Sequence, residues 1–149
     1  MNEAFTNKYR YDTGFLNGLF ALASSTSTYI GRDDVTVYLF PKEDTVEEFR
    51  TAFKLRVNVE KEPVEGDLKS VLGEWYGTEG NDRRITEKLV ETIEYCYGTP
   101  EAIYSVKNYE KVTDRLEGRK GLAPYYFVSD FFFADFKQFT AFFIMGNNE

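Results

Sequence analysis

The sequence predicts a single α+β domain over residues 1–149, with helices packed on a small, mainly antiparallel sheet that ends in a C-terminal aromatic hairpin. Three observations predict it. A helical period runs through Ile85, Leu89, Ile93, Cys96 and Tyr97, with Glu87, Lys88, Glu91 and Glu94 on the other faces. A β-branched and aromatic run, Val35 to Phe40, is entered by Asp33-Asp34 and stopped by Pro41. Eight of the 14 phenylalanines fall between Tyr125 and Phe143, in two runs split by Asp135-Phe136-Lys137-Gln138, which reads as a hairpin.

The remaining elements follow in chain order. Thr13 to Ala23 sets Phe15, Leu16, Leu19, Phe20 and Leu22 on a broad helical stripe, and Ser24 to Thr28 ends it. Thr45-Val46-Glu47-Glu48 is a capping box that starts a helix to about Phe53. From Lys54 to Glu60 strand and helix periods compete: Phe53, Leu55, Val57 and Val59 alternate with polar residues, while Val46, Phe49, Phe53 and Val57 fit a longer helix. A strand after Phe53 is the preferred reading. Asp67 caps a short helix through Tyr76, and Gly77 to Asn81 forms a loop. Gly98 stops the strongest helix, and Thr99-Pro100-Glu101 predicts an immediate restart, with Thr99 as cap and Pro100 in the first turn. Ile103, Val106, Val112 and Leu116 carry that helix toward Gly118, forming an antiparallel or angled pair with its predecessor.

Composition excludes several classes of chemistry. The 149 residues contain no histidine and one cysteine, which removes His-based triads, His-ligated metals and an intramolecular disulfide framework. No metal and no cofactor is expected. Eighteen basic against 25 acidic side chains give a formal charge of −7, which repels nucleic acid and anionic membranes. Lys42 to Asp67 holds eight acids and five bases, Glu74 to Glu101 seven and three, and Lys107 to Gly121 reverses to three and five. No apolar run approaches the ~18 residues of a membrane span. Phe15 to Ala23, before Ser24, has the look of an export signal, but Asn17 and Gly18 interrupt it and acids precede it. A cytoplasmic protein is expected, where a lone thiol is tolerated.

The candidate sites each have a plainer explanation. Cys96 sits on the apolar stripe with no histidine to ionise it, so it reads as a buried small hydrophobe. Asp33-Asp34, Glu43-Asp44 and Glu47-Glu48 are adjacent surface acids, whereas a carboxylate enzyme needs two converging in a cleft. Asp130 and Asp135 interrupt an apolar segment and read as charges that protect the hairpin from edge pairing or serve its turn. The glycines match no phosphate-cradling motif. The aromatic hairpin reads as core, with one of its faces in need of cover by further helices or by a partner.

The closing stretch, Ala123 to Val128 and Phe142-Phe143-Ile144-Met145-Gly146-Asn147-Asn148-Glu149, resembles the ends of small acidic accessory proteins carried by bacterial mobile elements. That group includes anti-CRISPR and antirestriction inhibitors. The resemblance implies a non-enzymatic inhibitor that occupies a basic surface of a nucleic-acid-handling enzyme, such as a Cas effector or restriction enzyme, by local rather than strict DNA mimicry. The residues expected to meet the partner are Glu47 and Glu48 on the capped helix and Glu87, Glu91 and Glu94 on the strongest helix. The alternative is an accessory subunit that assembles, with itself or a partner, through the hairpin; a small carboxylate enzyme ranks third.

Overall fold

The computed structural model describes residues 9–31, 33–42, 47, 59–109 and 127–147. Among them are α1 (Arg10–Thr26), β1 (Asp34–Phe40), β2 (Lys61–Pro63), α2 (Leu68–Tyr76), α3 (Gly80–Tyr97), β3 (Ala102–Val106), β4 (Phe127–Asp135) and β5 (Thr140–Asn147). The strands form one antiparallel sheet in the order β1-β5-β4-β3-β2, which makes an α+β fold. The capping box at residues 45–48, the helix to Phe53, most of Lys54 to Glu60, and Val112 and Leu116 lie outside the described residues, apart from an exposed Glu47. Val59 and Glu60 are in neither a helix nor a strand.

The aromatic hairpin is the centre of the sheet. Phe136 N–H donates to Phe139 O at 2.8 Å to close its turn, and the register sets Phe132 beside Phe143 and Phe133 beside Phe142. Those two pairs stack at 4.6 and 4.8 Å between ring centroids. Alternation sends Phe132 and Phe143 to the face that meets Trp75 of α2 and Phe20 of α1, at 4.8 and 5.4 Å. Phe131, Phe133, Phe142 and Phe40 point to the other face and are also buried. Both faces of this hairpin are therefore core. Each buried phenylalanine contributes roughly 1.5–3 kcal/mol of transfer free energy, so the cluster is a dominant stabilising unit.

The two sheet edges end differently. β2 is three residues long, exposed, and closed by Pro63, a short and charged edge that discourages pairing with another chain. On β1, Val37 turns both backbone groups outward, where Asn17 of α1 takes them: its Oδ1 accepts from Val37 N and its Nδ2 donates to Val37 O, both at 2.9 Å. The helix thus covers the edge it packs against.

Local signals hold for α2 and α3. Asp67 caps α2 by accepting from Ser70 N at 2.9 Å, and that bond holds its carboxyl below the usual range. Gly77 has φ 105°, and a Cβ there would lie 2.6 Å from Asp82 Cβ, so the tight joint between α2 and α3 requires glycine. The loop is shorter than expected, since α3 begins at Gly80.

Two expectations are corrected. The chain does not restart a helix at Thr99-Pro100-Glu101; it enters β3, whose Tyr104 and Ser105 pair with Phe133 and Phe132. Without that strand the open side of β4 would lack backbone partners, and the stacking of Tyr104 on Phe133 at 5.2 Å adds to the ladder. Tertiary pairing outweighs a local cap, and the Thr99 hydroxyl donates to Glu94 Oε2 at 2.8 Å instead. The predicted helix pair after Gly98 is therefore absent from the described residues. Cys96, expected on the buried stripe, is exposed. The buried residues of α3 are Thr86, Leu89, Val90, Ile93 and Tyr97. Their mean direction lies roughly 75° around the helix from Cys96 at 100° per residue, which places the thiol on the flank.

Candidate functional site

Helices α1 and α3 lie side by side and antiparallel, tied at both ends. Where α1 ends, Asp82 in the first turn of α3 accepts from Thr28 N and Thr28 Oγ1 at 2.9 Å and from Ser27 Oγ at 3.1 Å. These bonds, led by the Thr28 amide, hold the Asp82 carboxyl below its ordinary value. Where α1 begins, Tyr97 Oη donates to Asp12 Oδ1 at 2.9 Å, and the Phe15 and Tyr97 rings meet edge-on at 6.4 Å. Burial, reinforced by the Asp12 carboxylate, raises the Tyr97 phenol.

Between the ties the helices leave a groove of about 440 Å³. Leu19, Leu22 and Ala23 form its α1 wall, and Ile85 and Leu89 its α3 wall. Arg84 and Lys88, one turn apart, stand at the α3 lip. Leu22 is 63% exposed, so the trough opens to solvent along its α1 wall, while Ala23 and Leu89 form its buried floor. The broad stripe of α1 explains the geometry: Leu16, Phe20 and Ala23 bury against the core, and the surplus apolar residues Leu19 and Leu22 line the groove.

On another flank α3 carries the acids singled out from sequence. Glu87, Glu91 and Glu94 follow one solvent-facing line over about 10 Å of helix. They are not equivalent. Glu87 accepts from Arg83 Nε at 2.7 Å and lies 3.9 Å from Lys69 Nζ, and Arg83 holds its carboxyl below the usual value. Glu91 has Lys88 at 3.9 Å with both side chains largely exposed, and Glu94 accepts from the Thr99 hydroxyl. Of the other pair, Glu47 is exposed and Glu48 lies outside the described residues; among the described residues the α3 acids are brought together.

The chain matches no known protein family model, no curated protein and no solved structure.

The other sites separate. Asp130 and Asp135 point to opposite faces of β4 about 17 Å apart and have separate partners, Trp75 Nε1 at 2.8 Å and Thr140 Oγ1 at 2.6 Å. Among the described residues the hairpin rings Phe131, Phe132, Phe133, Phe136, Phe139, Phe142 and Phe143 are buried. Among the described residues no three or more His, Cys, Asp and Glu are grouped to hold a metal ion, and no helix is long and apolar enough to cross a membrane. The groove was missed from sequence. Its signal was an apolar stripe on α1 too wide for one buried contact.

Proposed function

We propose that this protein acts by binding another protein without catalysis, as an inhibitor of the anti-CRISPR or antirestriction type that places the acidic line of α3 against a basic surface of a nucleic-acid-handling enzyme. The observation that supports this reading is Glu91 and Glu94, aligned on a helix whose two ends are fastened to α1. A net charge of −7 favours encounter with a basic channel. Duplex DNA carries one charge per about 1.7 Å of axis, far denser than three glutamates over about 10 Å with Arg83, Lys69 and Lys88 beside them, so any mimicry is local.

The test is inhibition of target-DNA binding and cleavage by a panel of restriction and Cas nucleases. Glu91→Lys with Glu94→Lys should weaken inhibition strongly, and Glu87→Lys less, because Arg83 and Lys69 already offset its charge. Circular dichroism checks the fold of each variant. Inhibition that survives all three reversals rejects the acidic line; no inhibition of any nuclease rejects the inhibitor reading.

A further inference from the structure

We propose that the groove between α1 and α3 is a docking site for one amphipathic helix of a partner protein, with carboxylates flanking the apolar stripe of that helix. Four features of the groove select this occupant. Its walls are apolar, through Leu19, Leu22, Ile85 and Leu89, and the trough is open, so an occupant is dried on one side and stays in water on the other. That is the requirement of an amphipathic helix, whereas an aliphatic amphiphile would leave half its chain wet. The lining of α3 runs from Asn81 to Thr92, about 16 Å, which matches anchors at i, i+4, i+7 and i+11 of a bound helix. Arg84 and Lys88 repeat at i and i+4, the spacing of two carboxylates on one flank of such a helix. Among the described residues Arg84 has no ion pair within 4 Å, and Lys88 has only Glu91 at 3.9 Å between exposed side chains, so both cations remain available in a chain of charge −7.

The ties at Asp82 and Tyr97 give the groove its selectivity for a third helix. They fix the separation of the walls, so docking does not have to order them first, and less conformational entropy is lost on binding. Tyr95, 91% exposed on α3, extends the same flank beyond the groove with a residue type enriched at binding hot spots. The inference does not rest on the acidic line of α3, which meets the lip only where Glu91 lies 3.9 Å from Lys88.

The experiment uses the full chain and a library of 16-residue amphipathic peptides, with Leu, Ile, Phe or Met at the four anchor positions and Glu on both flanks. A matched library carries Lys on the flanks. Selected Glu-flanked peptides should bind with amide shifts centred on Leu19, Leu22, Ile85 and Leu89, and their Lys-flanked counterparts should bind at least about tenfold more weakly. Arg84→Glu with Lys88→Glu should invert that preference. Leu22→Asp, at an exposed position, should abolish binding while the fold is retained. The proposal is overturned by absence of binding at millimolar peptide, by equal binding of the two libraries, or by shifts centred elsewhere. Saturation of the groove by dodecanoate in preference to any peptide overturns it in favour of a small amphiphile, and a concentration-dependent dimer that masks Leu22 overturns it in favour of a second copy. The variant Glu91→Lys with Glu94→Lys should keep or tighten binding of Glu-flanked peptides, since it removes the acid beside Lys88, which separates failure of this inference from failure of the inhibitor reading.

Discussion

Replacement of Asn17 by alanine tests whether α1 protects the edge of the sheet. The Asn17 amide satisfies both outward backbone groups of Val37, a fully buried residue on edge strand β1, and also donates to Thr13 O at 2.8 Å within α1. Asn17→Ala leaves the Val37 N–H and C=O without these partners. Each unsatisfied buried backbone group costs about 1–3 kcal/mol, and partial access of water brings the pair to about 2–4 kcal/mol. Alanine returns roughly 0.5 kcal/mol through its higher helix propensity, so the net loss is about 1.5–3.5 kcal/mol. Urea unfolding followed by the fluorescence of the single tryptophan, Trp75, should show a midpoint lowered by about 0.7–1.8 M at a denaturant slope of about 2 kcal/mol/M. Amide exchange at Val37 should accelerate more than at its neighbours in β1. Asn17→Asp keeps an acceptor for the Val37 amide but sets a carboxylate against the Val37 carbonyl, so its penalty should be relieved at low pH, where the protonated acid donates. A change below about 0.5 kcal/mol in Asn17→Ala, with Val37 exchange unaltered, would refute the edge-protection argument.

Three further outcomes follow from single contacts. Asp67→Ala removes the α2 cap and should cost about 1 kcal/mol at neutral pH; because the folded carboxyl is depressed, its contribution is present above the ordinary range and lost as pH falls below about 4, so melts of wild type and variant should converge there. Burial pushes Tyr38 up to about 12, so its contribution is intact below about pH 10 and is lost as pH rises toward 12, and Tyr38→Phe should flatten alkaline unfolding measured by circular dichroism. The exposed Cys96 should react with a thiol reagent in the native state as fast as a surface thiol, and Cys96→Ser should shift stability by less than about 0.5 kcal/mol; labelling that waits for unfolding would contradict the exposed flank.

What was legible in the sequence is what neighbouring residues decide. The cap at Asp67, the stop at Gly98, the β-branched and aromatic run of β1 and the two phenylalanine runs are set within a few residues, and they locate α2, the end of α3, β1 and the hairpin. The position of the hairpin at the centre of the sheet was not legible, because it requires β1 and β3 to pair with β5 and β4 across long stretches of chain. The same nonlocal pairing converts Ala102–Val106 to strand against its own proline and threonine signals. On α3 the helical period placed Glu87, Glu91 and Glu94 off the apolar face, but the partial neutralisation of Glu87 by Lys69 comes from another helix. Cys96 shows the limit of a stripe: it lies close to Leu89 around the helix, yet Val90 and Tyr97 pull the buried arc to the other side.

The two binding surfaces proposed for α3 predict opposite responses of association rate to salt, and this identifies which surface a given partner uses. A basic partner approaching Glu91 and Glu94 is attracted both at contact and at long range by the −7 charge, so screening should slow association as ionic strength rises. A strongly acidic partner helix approaching the Arg84 and Lys88 lip is attracted only at contact, while at low salt, where the Debye length reaches about 30 Å, the net charge repels it on the way in; at physiological salt that repulsion is screened beyond about 8 Å. Salt removes that repulsion before contact, so association should hold steady or quicken, while loss of the ion pairs at the lip should quicken dissociation. Stopped-flow measurements between low and physiological salt read the two rate constants separately. A partner whose association slows with salt and is not weakened by Arg84→Glu with Lys88→Glu belongs to the acidic line; one whose association does not slow, and whose dissociation quickens with that pair of substitutions, belongs to the groove.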